Sequence, residues 1–222
     1  MTKPKDDVGG ATNTEHDTEL LEAWRRGDRA AGERLFDRHV ASLLRFFRTK
    51  AGLQSEELVQ RTFLACVRTR DRVRESASFR AYLFTIARNE LFRHLGRSCA
   101  RAFDPLTASI IDLRGSPSDE LARDEQNVAL LAALCKLPIE LQIAVELHYW
   151  EELSISELAE VLGIPDGTVK TRLFRARNLL RTHMGENVPI GEGQPFSDID
   201  AWARAMKDDV LPELSMSGRR MP

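Results

Sequence analysis

Residues 153–177 constrain the fold more than any other part of this 222-residue chain. Ser154 stands three residues before Glu157, the reciprocal capping pattern that starts a helix. Leu158, Ala159 and Leu162 then recur at helical spacing, and Gly163 ends the run. Pro165-Asp166-Gly167 make a turn. A second helix is predicted over 168–182, with Val169, Leu173, Ala176 and Leu180 on one inward stripe. Two short helices joined by a tight turn have helix-turn-helix geometry.

The same period runs through most of the chain. Leu20, Leu21 and Trp24 mark one apolar face, and Leu35, Phe36, Val40, Leu43, Leu44 and Phe47 a second. Ser55 can cap a helix whose stripe is Leu58, Val59, Thr62, Phe63, Cys66 and Val67. Phe79, Leu83, Ile86, Ala87 and Leu91 give another, closed by Gly96. Helices are also predicted over 121–134 and from Pro138 to about Trp150. Runs with strand-like alternation are absent. The expected architecture is all-α: two small helical domains joined by a flexible linker, the second a four-helix domain with the helix-turn-helix. The boundaries read as a disordered tail over 1–17, a first domain over 18–97, a linker over 98–120, a second domain over 121–182 and an extension over 183–222. An amphipathic helix at 197–211, with Ile199, Trp202, Met206 and Val210 on one face, is expected to pack back onto the second domain, or else on a regulator.

The formal net charge of -2 argues against a nucleic-acid partner only if the charge is evenly spread. It is not. Over 61–101 ten arginines face three acids, over 102–160 three basic residues face twelve acids, and over 161–182 five face one. Both basic blocks fall on helices predicted to carry chemistry. Past Asp166, the outer face carries Thr168, Thr171, Arg172 and Arg175, with Lys170 at its edge. Short donors at a helix start with arginines beyond suit base edges and phosphates in a major groove. The first block uses arginine alone, interleaved with Phe79, Tyr82, Phe84 and Phe92. Charge to follow a backbone and rings to receive unstacked bases are the requirements of single-strand capture.

Other functions find little support. No phosphate-binding loop, dinucleotide loop or HExxH pair occurs, and five histidines are scattered. Cys66, Cys99 and Cys135 are far apart and form no CxxC pair, so neither a disulfide framework nor a cysteine-rich metal site is expected. Glu56-Glu57 and Glu151-Glu152 are adjacent on helices and cannot face each other as a catalytic dyad; the second pair reads as a solvated turn. No apolar run is long enough to span a membrane, and residues 1–19 have no signal-peptide core, so a cytoplasmic location is expected. The expectation is a protein with no catalytic residues, metal or cofactor.

The two halves together resemble one family in order and spacing: bacterial sigma factors of the extracytoplasmic-function (ECF) type, a branch of the sigma-70 superfamily. The second half carries this in Leu153-Ser154-Ile155-Ser156-Glu157-Leu158-Ala159-Glu160 and in the run Leu162-Gly163-Ile164-Pro165-Asp166-Gly167-Thr168-Val169-Lys170-Thr171-Arg172-Leu173-Phe174-Arg175-Ala176-Arg177. The first carries it in Glu56-Glu57-Leu58-Val59-Gln60-Arg61-Thr62-Phe63 and Phe79-Arg80-Ala81-Tyr82-Leu83-Phe84-Thr85-Ile86-Ala87-Arg88-Asn89. The resemblance covers about 18–182. It implies that Ser154, Thr168, Lys170, Thr171, Arg172, Arg175 and Arg177 read a -35 promoter duplex. It implies that Arg72, Arg74, Ser78, Phe79, Arg80, Tyr82, Arg88, Asn89, Arg93 and Arg97 serve the melted -10 strand. Glu57, Leu58, Gln60, Arg61 and Phe63 would contact core RNA polymerase. In the family an Asp is usual where Glu57 stands and an acid where Arg61 stands. The acids Asp104, Asp112, Asp119 and Glu120 would mimic nucleic acid in the polymerase channel. The partners so implied are core RNA polymerase, promoter DNA as duplex and non-template single strand, and an anti-sigma factor, without membrane insertion. The competing readings are a free-standing helix-turn-helix regulator and a helical interaction protein that binds no DNA.

Overall fold

The computed structural model describes residues 8–70, 78–98, 103–114 and 131–184. Its helices are α1 (Val8–Arg25), α2 (Arg29–Ala51), α3 (Ser55–Thr69), α4 (Phe79–Ser98), α5 (Ile110–Arg114), α6 (Ile139–Tyr149), α7 (Ile155–Leu162) and α8 (Asp166–Met184). Residues 131–135 are also helical. The only β pairing among the described residues is an isolated bridge between Ser109 and Pro138. The chain is thus all-α, with one helical cluster built from α1–α4 and a second from α6–α8. Among the described residues, no helix is long and apolar enough to cross a membrane.

The first cluster is held by aromatic packing. Asp28 caps α2, its carboxylate accepting from the Ala31 N–H at 3.1 Å. The stripe that follows buries Leu35, Leu43, Phe46 and Phe47. The Phe46 ring meets Phe47 and Phe84 edge-on, at 5.1 and 5.6 Å. Phe36 stacks on Phe63 at 4.4 Å. Gly32 lets α1 approach α2, because a Cβ there would lie 2.6 Å from the Trp24 ring. Two apolar positions of the sequence pattern fall outside this core: Val40 and Val67 are exposed.

Three expectations are corrected in outline. The pattern placed residues up to 17 in a tail, but α1 begins at Val8. Asp17 is buried, with its carboxylate 2.9 Å from Arg38 Nε and 2.7 Å from His39 Nε2. Gly9 and Gly10 are poor helix formers and no apolar stripe marks this turn, so composition hid it.

Residues 103–114 were expected within a flexible linker, yet they are built onto the second cluster. Pro138 offers α6 no side-chain cap. The Ile139 N–H donates to Ala108 O at 3.0 Å and the Glu140 N–H to Pro105 O at 3.1 Å, which satisfies amides a helix start leaves open. Asp112 accepts from the Ser109 N–H and hydroxyl, and Asp104 from the Leu106 N–H and Thr107 hydroxyl. These two acids therefore serve the local backbone. Asp119 and Glu120 lie outside the described residues.

Glu151 was expected in a solvated turn. It is buried, and Arg45 Nε of α2 donates to it at 2.8 Å. Its neighbour Glu152 has φ 55 and is exposed. The left-handed backbone there turns the two side chains apart. The helix expected at 121–134 falls inside the described residues only from 131, and the one expected at 197–211 falls outside them.

Candidate nucleic-acid interface

The turn between α7 and α8 is built as its sequence requires. Ser154 Oγ accepts from the Glu157 N–H at 3.2 Å, and Glu157 accepts from the Ser154 N–H at 2.9 Å. Gly163 closes α7 with φ 66, a conformation a Cβ would strain. Helix α8 then buries Val169, Leu173, Ala176 and Leu180, the four residues of the predicted stripe. Thr168, Lys170, Thr171 and Arg175 are left exposed at its first turns, and Ser154 is exposed nearby. Phe174 lies among them, half its surface open to solvent.

Two arginines that the resemblance assigns to the -35 duplex are instead turned inward. Arg177 Nη1 donates to the Tyr149 hydroxyl at 2.7 Å. Arg172 Nη1 donates to Glu140 Oε2 at 2.8 Å, and its side chain is 18% exposed. Glu140 Oε1 accepts in turn from Arg88 Nη2 of α4. One buried carboxylate thus joins an arginine from each basic block.

Helix α6 explains why such a carboxylate exists. It is buried on all sides, including its polar members Glu140, Gln142 and Glu146. A polar group in that position must find a partner on another element. Glu146 accepts from Lys50 Nζ and from the Thr49 hydroxyl of α2, and Gln142 Nε2 donates to it at 2.7 Å. Burial pushes the Lys50 pKa down and the Glu146 pKa up, while each charge opposes the shift of the other. Cys135 lies beside this pair, its Sγ 3.7 Å from Thr49 O, and burial pushes its thiol up to about 12. Cys66 is buried and likewise raised to about 12, so neither thiol is poised for chemistry.

The predicted single-strand residues are dispersed. Phe79 is buried against His39, with ring centroids 5.4 Å apart. Tyr82 is half-buried and its hydroxyl donates to Thr69 O at 3.0 Å. Helix α4 packs along α7. At that junction Glu157 is hydrogen-bonded to Ser78 and lies beside the Arg80 guanidinium. Asn89, Arg93 and Arg97 are exposed, Arg93 pairing with Glu90. Arg72 and Arg74 lie outside the described residues.

On α3, Glu57 and Gln60 are exposed, whereas Leu58 is fully buried and Phe63 is held by Phe36. Leu58 is placed to support the surface rather than to form it. Arg61, the position where the resembled family carries an acid, donates to Glu90 of α4 at 2.7 Å and lies 3.8 Å from Glu57. The reversed charge is balanced inside the chain, across the α3–α4 contact.

The residues missed from the sequence are Lys50, Glu140, Glu146 and the Arg45–Glu151 pair. A signal was present: Glu140, Gln142, Glu146 and His148 interrupt the apolar run of 139–149, and a helix with no free face needs partners for each.

A family model described as Sigma-70 region 2 matches residues 34–99, and one described as Sigma-70, region 4 matches 127–180. The chain is 32% identical over 178 residues to the ECF RNA polymerase sigma factor SigM of Mycobacterium tuberculosis, covering 79% of this chain and 88% of that one. It is 29% identical over 180 residues to the RNA polymerase sigma-H factor of Pseudomonas aeruginosa, covering 75% and 92%. Among solved structures it is similar to CnrH in complex with the cytosolic domain of CnrY, with TM-score 0.57, 27% identity, and coverage of 74% and 94%.

Proposed function

Because the chain belongs to the ECF family of sigma-70 RNA polymerase sigma factors, we propose that its two clusters divide promoter recognition between them. It is a specificity subunit and not an enzyme. The first cluster docks on core RNA polymerase and captures melted -10 bases; the second holds the -35 duplex. The polymerase performs the chemistry.

The exposed start of α8 carries this reading. Thr168, Lys170, Thr171 and Arg175 project from a helix whose opposite face is fully committed to the core. With α7 it makes a helix-turn-helix, and its N-terminal turns enter a major groove while Ser154 and the backbone hold phosphate. Glu57 and Gln60 form an exposed acidic and polar edge for the polymerase, with Leu58 beneath them. Arg80, Tyr82, Arg88 and Asn89 receive the single strand, with Arg93 and Arg97 following its backbone. The domain limits are those of the sequence pattern, except that α1 extends the first cluster back to Val8 and 105–114 travel with the second. CnrH is seen in complex with the cytosolic domain of CnrY; by analogy an anti-sigma factor in the cytoplasm is the regulatory partner.

The test is transcription in vitro with core polymerase and a promoter pool, reading the enriched sequences. Paired -35 and -10 elements are expected. Binding of duplex without any retention of core polymerase at low salt would favour a free-standing regulator instead.

A further inference from the structure

We propose that Arg61 is a positioning residue for core docking: it sets the Glu57 carboxylate from behind, with Glu90 as its anchor. The inference rests on the assignment of the exposed α3 edge to the polymerase.

The side chains form one line across the α3–α4 contact. Glu90 of α4 is buried, and both its oxygens are taken. Oε2 accepts from Arg61 Nη2 at 2.7 Å, and Oε1 accepts from Arg93 Nη1. A carboxylate with a charged donor on each oxygen is a strong and directional anchor. Arg61 is therefore fixed through one terminal nitrogen, and its other, Nη1, lies 3.8 Å from Glu57 Oε1. The planar fork of arginine permits this, because holding one nitrogen sets the direction of the next. Glu57 is the open end of the line, 68% exposed where Arg61 is 25%. It stands one turn ahead of Arg61, the order in which an acid and a base attract best on a helix.

Glu57 has a competing place to go. It is the third residue of α3, from which a glutamate can reach back to the start of its own helix. Gln54 puts no side-chain cap on the amides there, so they attract a carboxylate. Arg61 draws it the other way, along the helix. An acid at 61, as the resembled family carries, would instead repel Glu57 one turn away and Glu90 across the contact. The edge of this chain is thus built differently, with one carboxylate held by a cation in place of two adjacent acids.

Charge and position predict opposite signs for Arg61. A partner that receives Glu57 presents positive charge. If Arg61 acted only through its own charge it would repel that partner, and removing it would tighten docking. As a positioning residue, its removal loosens docking.

The test measures binding of the full chain to core polymerase for Arg61→Gln, Arg61→Lys, Glu57→Gln and the double variant Glu57→Gln/Arg61→Gln. Arg93 stays on Glu90 in all of them, so the buried carboxylate keeps a partner. Arg61→Gln is expected to bind about two- to fivefold more weakly, the span of an exposed ion pair. Arg61→Lys, which keeps the charge without the fork, is expected to fall between Arg61→Gln and the unaltered chain. In the double variant Arg61→Gln should add nothing to the loss from Glu57→Gln, because no carboxylate is left to set. Tighter or unchanged binding by Arg61→Gln overturns the positioning role. So does an equal loss in both backgrounds, which is what a general loosening of α3 would give. Should Arg61→Gln fail to fold, Arg61→Lys is compared with and without Glu57→Gln, and a loss that is absent or independent of Glu57 overturns the role. No binding of the unaltered chain to core overturns the proposed function, whereas binding that ignores Arg61 overturns the positioning role alone.

Discussion

Helices α4 and α8 carry the two arginine-rich faces, and they are presented in opposite ways. The start of α8 stands clear of the protein, with Thr168, Lys170, Thr171 and Arg175 exposed. The matching face of α4 lies against α7, with Ser78, Arg80 and Arg88 engaged by Glu157 and Glu140. On the proposed reading a duplex has an accessible landing surface, whereas on α4 only Asn89, Arg93 and Arg97 lie open to a single strand.

The sharpest challenge to this contrast is whether α4 depends on its cover. Phe84 is fully buried in α4 and touches Phe46 of α2. Phe84→Ala is expected to destabilise the chain by about 3–5 kcal/mol in urea unfolding. The loss should appear in one transition, seen equally by far-ultraviolet circular dichroism and by a fluorophore on α8. Two separate transitions would show that the clusters fold without regard to each other, and the closed face of α4 would lose its meaning.

The open face is tested next. Arg175→Ala is expected to weaken duplex binding by about 1–3 kcal/mol in the free chain and in the holoenzyme alike. Arg80→Ala should leave the duplex affinity of the free chain unchanged and lower open-complex formation in the holoenzyme. Equal losses from both variants in the free chain would erase the distinction between the helices.

A smaller effect probes the turn that aims α8. Ser154→Ala removes the cap of α7 and is expected to cost about 1 kcal/mol in thermal or urea unfolding. Glu157→Gln, which keeps the reach but not the charge, should cost less.

The smallest effect is set by pH. Burial alone would raise the Glu157 pKa, but hydrogen bonds from the Ser154 backbone, Ser78 and the Ser154 hydroxyl, with Arg80 nearby, hold it below its ordinary value. A carboxyl depressed in the folded chain contributes stability above its unfolded value of about 4.3, and that contribution is lost as pH falls through the folded value. Melting curves between about pH 6 and about pH 3 should show this loss, and Glu157→Gln should flatten that part of the profile.

What the sequence made legible follows from distance along the chain. The stripe Val169, Leu173, Ala176 and Leu180 was readable because spacing alone places it, and the Ser154–Glu157 box because its partners are three residues apart. Arg172 was assigned to the outer face by the same spacing, but its partner lies 32 residues away in α6. Glu151 read as a solvated turn for the same reason, since Arg45 is 106 residues distant. Local periodicity says which face a side chain occupies on its own helix. It does not say what another helix brings to that face.

The carbonyls of Pro105 and Ala108 bear on how far the two clusters can travel apart. With residues 105–109 fastened to the start of α6, five links of chain no longer act as slack. At about 3.4 Å each they would otherwise add about 17 Å of span. On the proposed reading, the tether that sets the distance between the two promoter elements is therefore shorter than the composition of 98–120 implies. Lengthening the chain just ahead of residue 103 should widen the range of spacings the protein accepts between them, whereas lengthening it after residue 109 should not.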